Sequence, residues 1–214
     1  MDILFPEIGL FSLVGVIMLI LSFSSLVYLT NIREKTVASQ MMAWFFVWVS
    51  FSALATVLVN LRLPWSWALA PSQDGFLILG SVFLARFAYI YPAPAYNQEG
   101  RRVLAVFILL AVIALGYSFY FGFEYLGNIP AHLVEIQAYY LLTPITVLAL
   151  VGVMLYRSVT LSRKAIQGEG NEKPSLISLL VKPKDPNAYE FRNLALAFMV
   201  TLLPLVVFLL KPYV

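Results

Sequence analysis

The chain has 214 residues, of which 61% are hydrophobic, 15% aromatic and only 12% charged, with a formal net charge of +3. A soluble domain carries about 25% charged residues, so this chain has too little polar side chain to coat a water-facing surface. These proportions exclude a soluble enzyme, a disordered tail and a nucleic-acid reader, and they point to an integral membrane protein.

The charged residues cut the chain into uncharged stretches that can be measured against a bilayer. A helix crossing the hydrocarbon needs about 20 residues. Six stretches meet that length, over about 8–30, 39–61, 75–91, 103–122, 136–157 and 192–211. The expected fold is therefore all-α, a polytopic membrane helix bundle that forms a single transmembrane domain over 1–214. Before the first span the chain reads MDILFPEIG, with acids where an export signal carries cations, and Tyr28–Asn31 is no small-residue cleavage site, so this span is expected to stay in the mature protein.

The loop after the first span holds Arg33 and Lys35, and the loop after the third holds Arg101 and Arg102. The segment 158–190 holds Arg163, Lys164, Lys173, Lys182 and Lys184, with Arg157 and Arg192 at its edges. Only Arg62 and Lys211 fall on the opposite side. The positive-inside rule then places these loops in the cytoplasm and both termini outside. The expected location is the inner membrane of a bacterium. Aromatic residues agree with that layout. Trp65 and Trp67 fall at the outer end of the second span, Tyr89 and Tyr91 at the inner end of the third, and Tyr156 at the inner end of the fifth.

Within the third span stands one charge, Arg86. A cation inside hydrocarbon is costly, so it either snorkels to the headgroups or faces a partner in the bundle. As a conformational lock it would pair with Glu99, Glu190 or Glu34. No acid is expected within a span. Between the fourth and fifth spans lie Glu124, His132, Glu135, Gln137 and Tyr140. An imidazole between two carboxylates can titrate near neutral pH, but the irregular spacing specifies no metal site, and simple loop polarity explains it as well. Pro144 and Pro204 sit well inside the fifth and sixth spans and are expected to kink them, with nearby threonines meeting the freed carbonyls.

The cytoplasmic segment begins as an extension of the fifth helix that frays at Gly168 and Gly170. Its apolar patch around Leu176, Ile177 and Leu179–Val181 is too short to cross a bilayer; it either lies along the inner leaflet or forms a solvated loop. The chain has no cysteine and one histidine, which excludes thiolate metal sites and bis-histidine haem. Lys211 is too near the end of its span to carry retinal, and no glycine-rich phosphate loop is present. No catalytic residue, metal or cofactor is expected.

The third span and its exit, FLARFAYIYPAPAYNQEGRRVLAVFILL, end a helix on an aromatic-proline pair, turn through an acid and arginines, and enter another span. This stretch resembles the N-terminal seven-helix membrane sensor regions of bacterial histidine kinases and nucleotide cyclases. The later FRNLALAFMVTLLPLVVFLL is similar to their sixth helix. The resemblance implies a non-catalytic, receptor-like module, with a seventh helix leading back to a cytoplasmic output domain; six spans are counted here. A small or lipophilic ligand would enter the outer half of the bundle, near Trp65, Trp67, Glu124, His132, Glu135, Gln137 and Tyr140. The alternative is a structural or accessory subunit of a larger electron-transfer or transport complex. Expected partners are membrane lipids and either partner membrane subunits or further copies of the chain, with no nucleic acid.

Overall fold

The computed structural model describes residues 10–61, 66–92, 98–127, 141–166 and 175–210. These are helical, and no strand occurs among the described residues. The long helices are α1 (Leu10–Asn31), α2 (Val37–Asn60), α3 (Ala70–Ile90), α4 (Gln98–Gly127) and α5 (Leu142–Ile166). A short α6 (Leu176–Val181) precedes the last, α7 (Pro186–Leu210). Helices α1 to α5 are long and apolar enough to cross a membrane, so the protein is a multi-pass membrane protein. The span expected over 192–211 falls in α7, whose side chains from residue 201 onward lie outside the described residues.

Local sequence explains where the helices start. Thr36 caps α2, its hydroxyl accepting the Ser39 amide at 3.1 Å. A 3₁₀ turn, Ser66–Leu69, leads into α3, and Pro71 sits in the first turn, where a missing N–H costs nothing. Helix α3 therefore begins five residues before the expected span and takes Asp74 into the bundle. The expectation that no acid lies within a span is thus corrected. Asp185 caps α7, its Oδ1 accepting the amides of Asn187 at 2.7 Å and Ala188 at 3.2 Å, with Pro186 opening the helix. Pro144, expected to kink a helix at mid-span, stands in the first turn of α5 as described, and residues 128–140 before it lie outside the described residues. Helix α7 continues through Pro204.

Packing centres on α3, which touches α2, α4 and α5; α1 packs on α2, and α7 on α5. Lipid tails are as apolar as leucine, so burial alone does not drive these contacts, and small residues that let backbones approach carry much of the fit. Helix α1 meets α2 through Gly15, where a Cβ would lie 3.2 Å from Val57, and through Ser22, which shares a 2.9 Å hydrogen bond with Ser50. Its leucines and isoleucines at 13, 17, 20 and 21 face outward. On α3, Ala85 and Ala88 with Leu84 meet Leu150, Val151 and Met154 of α5 and Phe191 of α7 in one buried cluster. A second cluster joins Ile78 to Ala111, Ala114 and Phe121 of α4.

Candidate functional site

The polar residues of the bundle gather at two levels. One lies near the Ala70 end of α3 and the other at the opposite, basic end, where α3 and α5 finish and α4 and α7 begin. At the basic end the central group is Arg157, on the buried face of α5 that also carries Met154, Ser158 and Ser162. It is only 5% exposed. Its Nε donates to the carbonyl of Ala88 at 2.6 Å, and Nη2 donates to that of Tyr91 at 3.4 Å. Within a helix the Ala88 carbonyl would accept from residue 92, but that residue is Pro92 and has no N–H. Arg157 supplies the missing donor, and it places its charge where the carbonyl end of a helix favours a cation.

Tyrosines surround this guanidinium. The Tyr89 ring lies 5.3 Å from its Cζ, a cation–π contact. Tyr89 Oη donates to Oε1 of Glu99 at 3.0 Å, and Tyr156 Oη donates to Oε2 at 3.2 Å, so one carboxylate of α4 holds a phenol from α3 and another from α5. Gly100 allows this fit: a Cβ there would lie 2.9 Å from Tyr89 Cδ1. Tyr91 Oη donates to Oε2 of Glu190 on α7 at 2.9 Å, and the rings of Phe87, Tyr91 and Phe191 pack together above it. Partial burial, and then the Glu190 carboxylate that accepts its hydrogen bond, push the Tyr91 phenol above its ordinary value. Fully buried Ser158 completes the join, donating to the Ala188 carbonyl at 2.7 Å.

Beyond this cluster lies α6. Ser175 caps it, accepting the Ser178 amide at 3.2 Å, and Arg192 closes its far end, donating to the Val181 carbonyl at 2.7 Å. Leu179 is buried against the bundle while Ile177 is 74% exposed. The apolar patch expected there is thus a short helix with one leucine inward and three apolar residues outward.

At the other level, Asp74 accepts a hydrogen bond from Thr143 of α5 at 2.8 Å. Ser118 of α4 donates to the Pro71 carbonyl at 3.0 Å, and Ser52 of α2 donates to that of Gln73 at 2.7 Å. Beside them, a groove of about 290 Å³ opens between α3 and α4, walled by Leu69, Phe76, Leu115 and Phe119 with Ser72 and Ser118 at its side.

The expected site residues fall unevenly on this picture. Arg86 lies on α3, its Nε buried without a hydrogen-bond partner, and it makes no hydrogen bond to Glu99, Glu190 or Glu34. At this end the cation that ties α3 to a neighbour is Arg157. Trp65, His132, Glu135, Gln137 and Tyr140 lie outside the described residues, as do the side chains of Trp67, Glu124 and Pro204. The sequence pattern puts Arg157 at the edge of the cytoplasmic segment and Asp74 in the outer loop before the third span, and gives neither a role in the bundle. A signal for the first existed: Pro92, four residues beyond Ala88, announces an orphan carbonyl that needs a donor. Among the described residues no three His, Cys, Asp or Glu side chains converge on a point that could hold a metal. The two levels hold the helices together through buried, directional hydrogen bonds. Compared with protein-family models, curated proteins and solved structures, the chain matches none.

Proposed function

We propose that the chain is a receptor-like sensor module without catalysis of its own, crossing the inner membrane of a bacterium six times, with both termini outside and the basic end in the cytoplasm. The observation that supports it is a pair of matched ties between α3 and α5. Asp74 meets Thr143 and Ala88 meets Arg157, each pair separated by 69 residues in sequence. The two helices therefore run parallel in one register, held at points about 21 Å apart at about 1.5 Å rise per residue. A helix fixed at two points to a neighbour moves as a rod. A ligand that prefers the arrangement with the Asp74–Thr143 bond open shifts α5, and with it the Arg157 tie, α7 and the basic segment 158–190. Transmission needs no reactive group, only two states of this contact.

The experiment is to purify the full chain in mild detergent and identify what accompanies it. The sensor reading expects a bound small molecule, and a change in the spin-label distance between Ser175 and Asn31 when that molecule is stripped. Recovery of a stoichiometric partner polypeptide, with no small molecule and no distance change, would instead establish a structural or accessory subunit.

A further inference from the structure

At the basic end, the α1–α2 hairpin leaves a groove of about 250 Å³ that none of the contacts above uses. Its walls are apolar: Leu26 and Leu29 from α1, and Ala43, Trp44 and Val47 from α2. Its mouth is polar and cationic, formed by Lys35 with Gln40 beside it. Lys35 and Gln40 are both exposed, and neither side chain makes a hydrogen bond or ion pair among the described residues. Arg33 and Glu34, both exposed, precede Lys35 in the same turn, so the turn carries two cations and one acid.

The depth of these features matters. Lys35 lies between two membrane-spanning helices, where lipid headgroups sit. From Ser39 to Val47 the groove follows α2 for about 12 Å, close to the thickness of one leaflet's hydrocarbon, which is half of about 30 Å. The arrangement thus has a charged head position and an oily channel below it, in the order that a phospholipid presents. The free cation at the mouth selects the headgroup charge, since each lysine or arginine near an anionic membrane surface favours it.

We infer that this groove is a binding site for an anionic phospholipid, with the phosphate at Lys35 and an acyl chain along Trp44. Trp44 is 50% exposed and stacks on Phe83 of α3 at 5.9 Å between ring centroids, so its indole is held at the channel with half of its surface open. The site depends only on the chain crossing a membrane; it stands or falls separately from the sensor reading.

Trp44 makes the test direct. In full-length chain carrying Trp48→Phe, Trp65→Phe and Trp67→Phe, Trp44 is the sole tryptophan. The protein is reconstituted in phosphatidylcholine vesicles containing an equal mole fraction of either brominated phosphatidylglycerol or brominated phosphatidylcholine. Trp44 quenching should favour the anionic lipid by about fivefold, the ratio equivalent to about 1 kcal/mol for one cation. Lys35→Gln should abolish the preference, while Lys182→Gln, a cation elsewhere at the same end, should leave it intact. Free glycerol phosphate should not compete, because it lacks the chain. Equal quenching by the two lipids in the parent protein, or a preference that survives Lys35→Gln, would overturn the site. Competition by glycerol phosphate would also do so, since it would show an anion site without the acyl channel. Should the triple variant not fold, native mass spectrometry of the otherwise unaltered chain with phosphatidylglycerol or phosphatidylcholine decides the same question, with the same loss expected on Lys35→Gln.

Discussion

Arg157 of α5 donates to the carbonyl of Ala88 on α3 at 2.6 Å, and that carbonyl is the one left without a helical partner by Pro92. The relationship joins a covalent fact about one helix to a side chain on another. Proline removes a donor, the last turn of α3 keeps an unsatisfied acceptor away from water, and a buried guanidinium fills the gap. Arg157→Met should therefore lower stability in detergent by about 2 kcal/mol, the scale of a buried acceptor left unpaired plus a lost charged hydrogen bond. Arg86→Leu, on the adjoining helix, has no such bond to lose and should leave the thermal midpoint unchanged or raised. Equal losses in the two variants would remove the special place of Arg157.

This pair also shows where sequence reading succeeds and where it stops. The spans are legible because charge is expelled from hydrocarbon, so the uncharged lengths alone mark α1 and α2 closely, while α4 runs five residues further at each end than its expected 103–122. Helix edges are less so. The stretch Ala70–Asp74 contains proline, serine, glutamine and aspartate, residues of loops, yet its proline is placed to start a helix and its aspartate finds Thr143 only through tertiary contact. Asp185–Pro186 is likewise a helix start written in the chain, though polar composition masks it. Arg157 follows an apolar run and reads as its boundary; whether such a cation turns outward or inward depends on an acceptor 69 residues away. The ligand-binding residues expected between 124 and 140 lie outside the described side chains.

Gly100 offers a second test of the basic-end cluster. An added methyl would come within 2.9 Å of the Tyr89 ring, displacing the phenol that Glu99 accepts and the face that Arg157 meets. Gly100→Ala should cost about 1–3 kcal/mol, the range for overpacking a fitted contact. Gly116→Ala, on the same helix with nothing within 4 Å of the added methyl, should cost nothing. Comparison of the two thermal midpoints separates local crowding from any general effect of alanine in α4.

If α5 behaves as one rod against α3, its two ties are coupled despite their separation. Thr143→Val removes the donor to Asp74 and should cost about 1 kcal/mol, the usual worth of one such bond. Sites more than about 10 Å apart normally add within about 0.5 kcal/mol. The double variant Thr143→Val with Arg157→Met should depart from additivity by more than that. An additive cycle would show that the two ends respond independently, and the transmission argument would lose its basis.

Tyr91 lies just beyond the end of α3, and its phenol is held above its ordinary value by partial burial and by Glu190. A raised value in the folded protein means that the neutral, donating phenol is the favoured form. Its contribution is complete below the unfolded value of about 10 and disappears as pH rises through the folded one. Alkaline difference spectra near the phenolate band should lose one late-titrating component in Tyr91→Phe, and that component should shift downward in Glu190→Gln. Because Glu190 is exposed, added salt should reduce the part due to its charge.

The orientation proposed for the bundle makes a sharp demand on Ser175, the cap of α6. The chain has no cysteine, so a single thiol introduced there is the only one a maleimide can find. Lysines 173, 182 and 184 flank it, and cationic loops resist transfer across an energised membrane. In intact cells, Ser175→Cys should stay unlabelled by a membrane-impermeant maleimide and become labelled after permeabilisation. The hydroxyl also caps a short helix, so Glu34→Cys, exposed in the basic turn between α1 and α2, serves as a parallel position whose labelling should match. Labelling of both from outside would invert the bundle: the groove at Lys35 would then face the outer leaflet, and the Arg157 cluster would lie on the side from which a signal arrives.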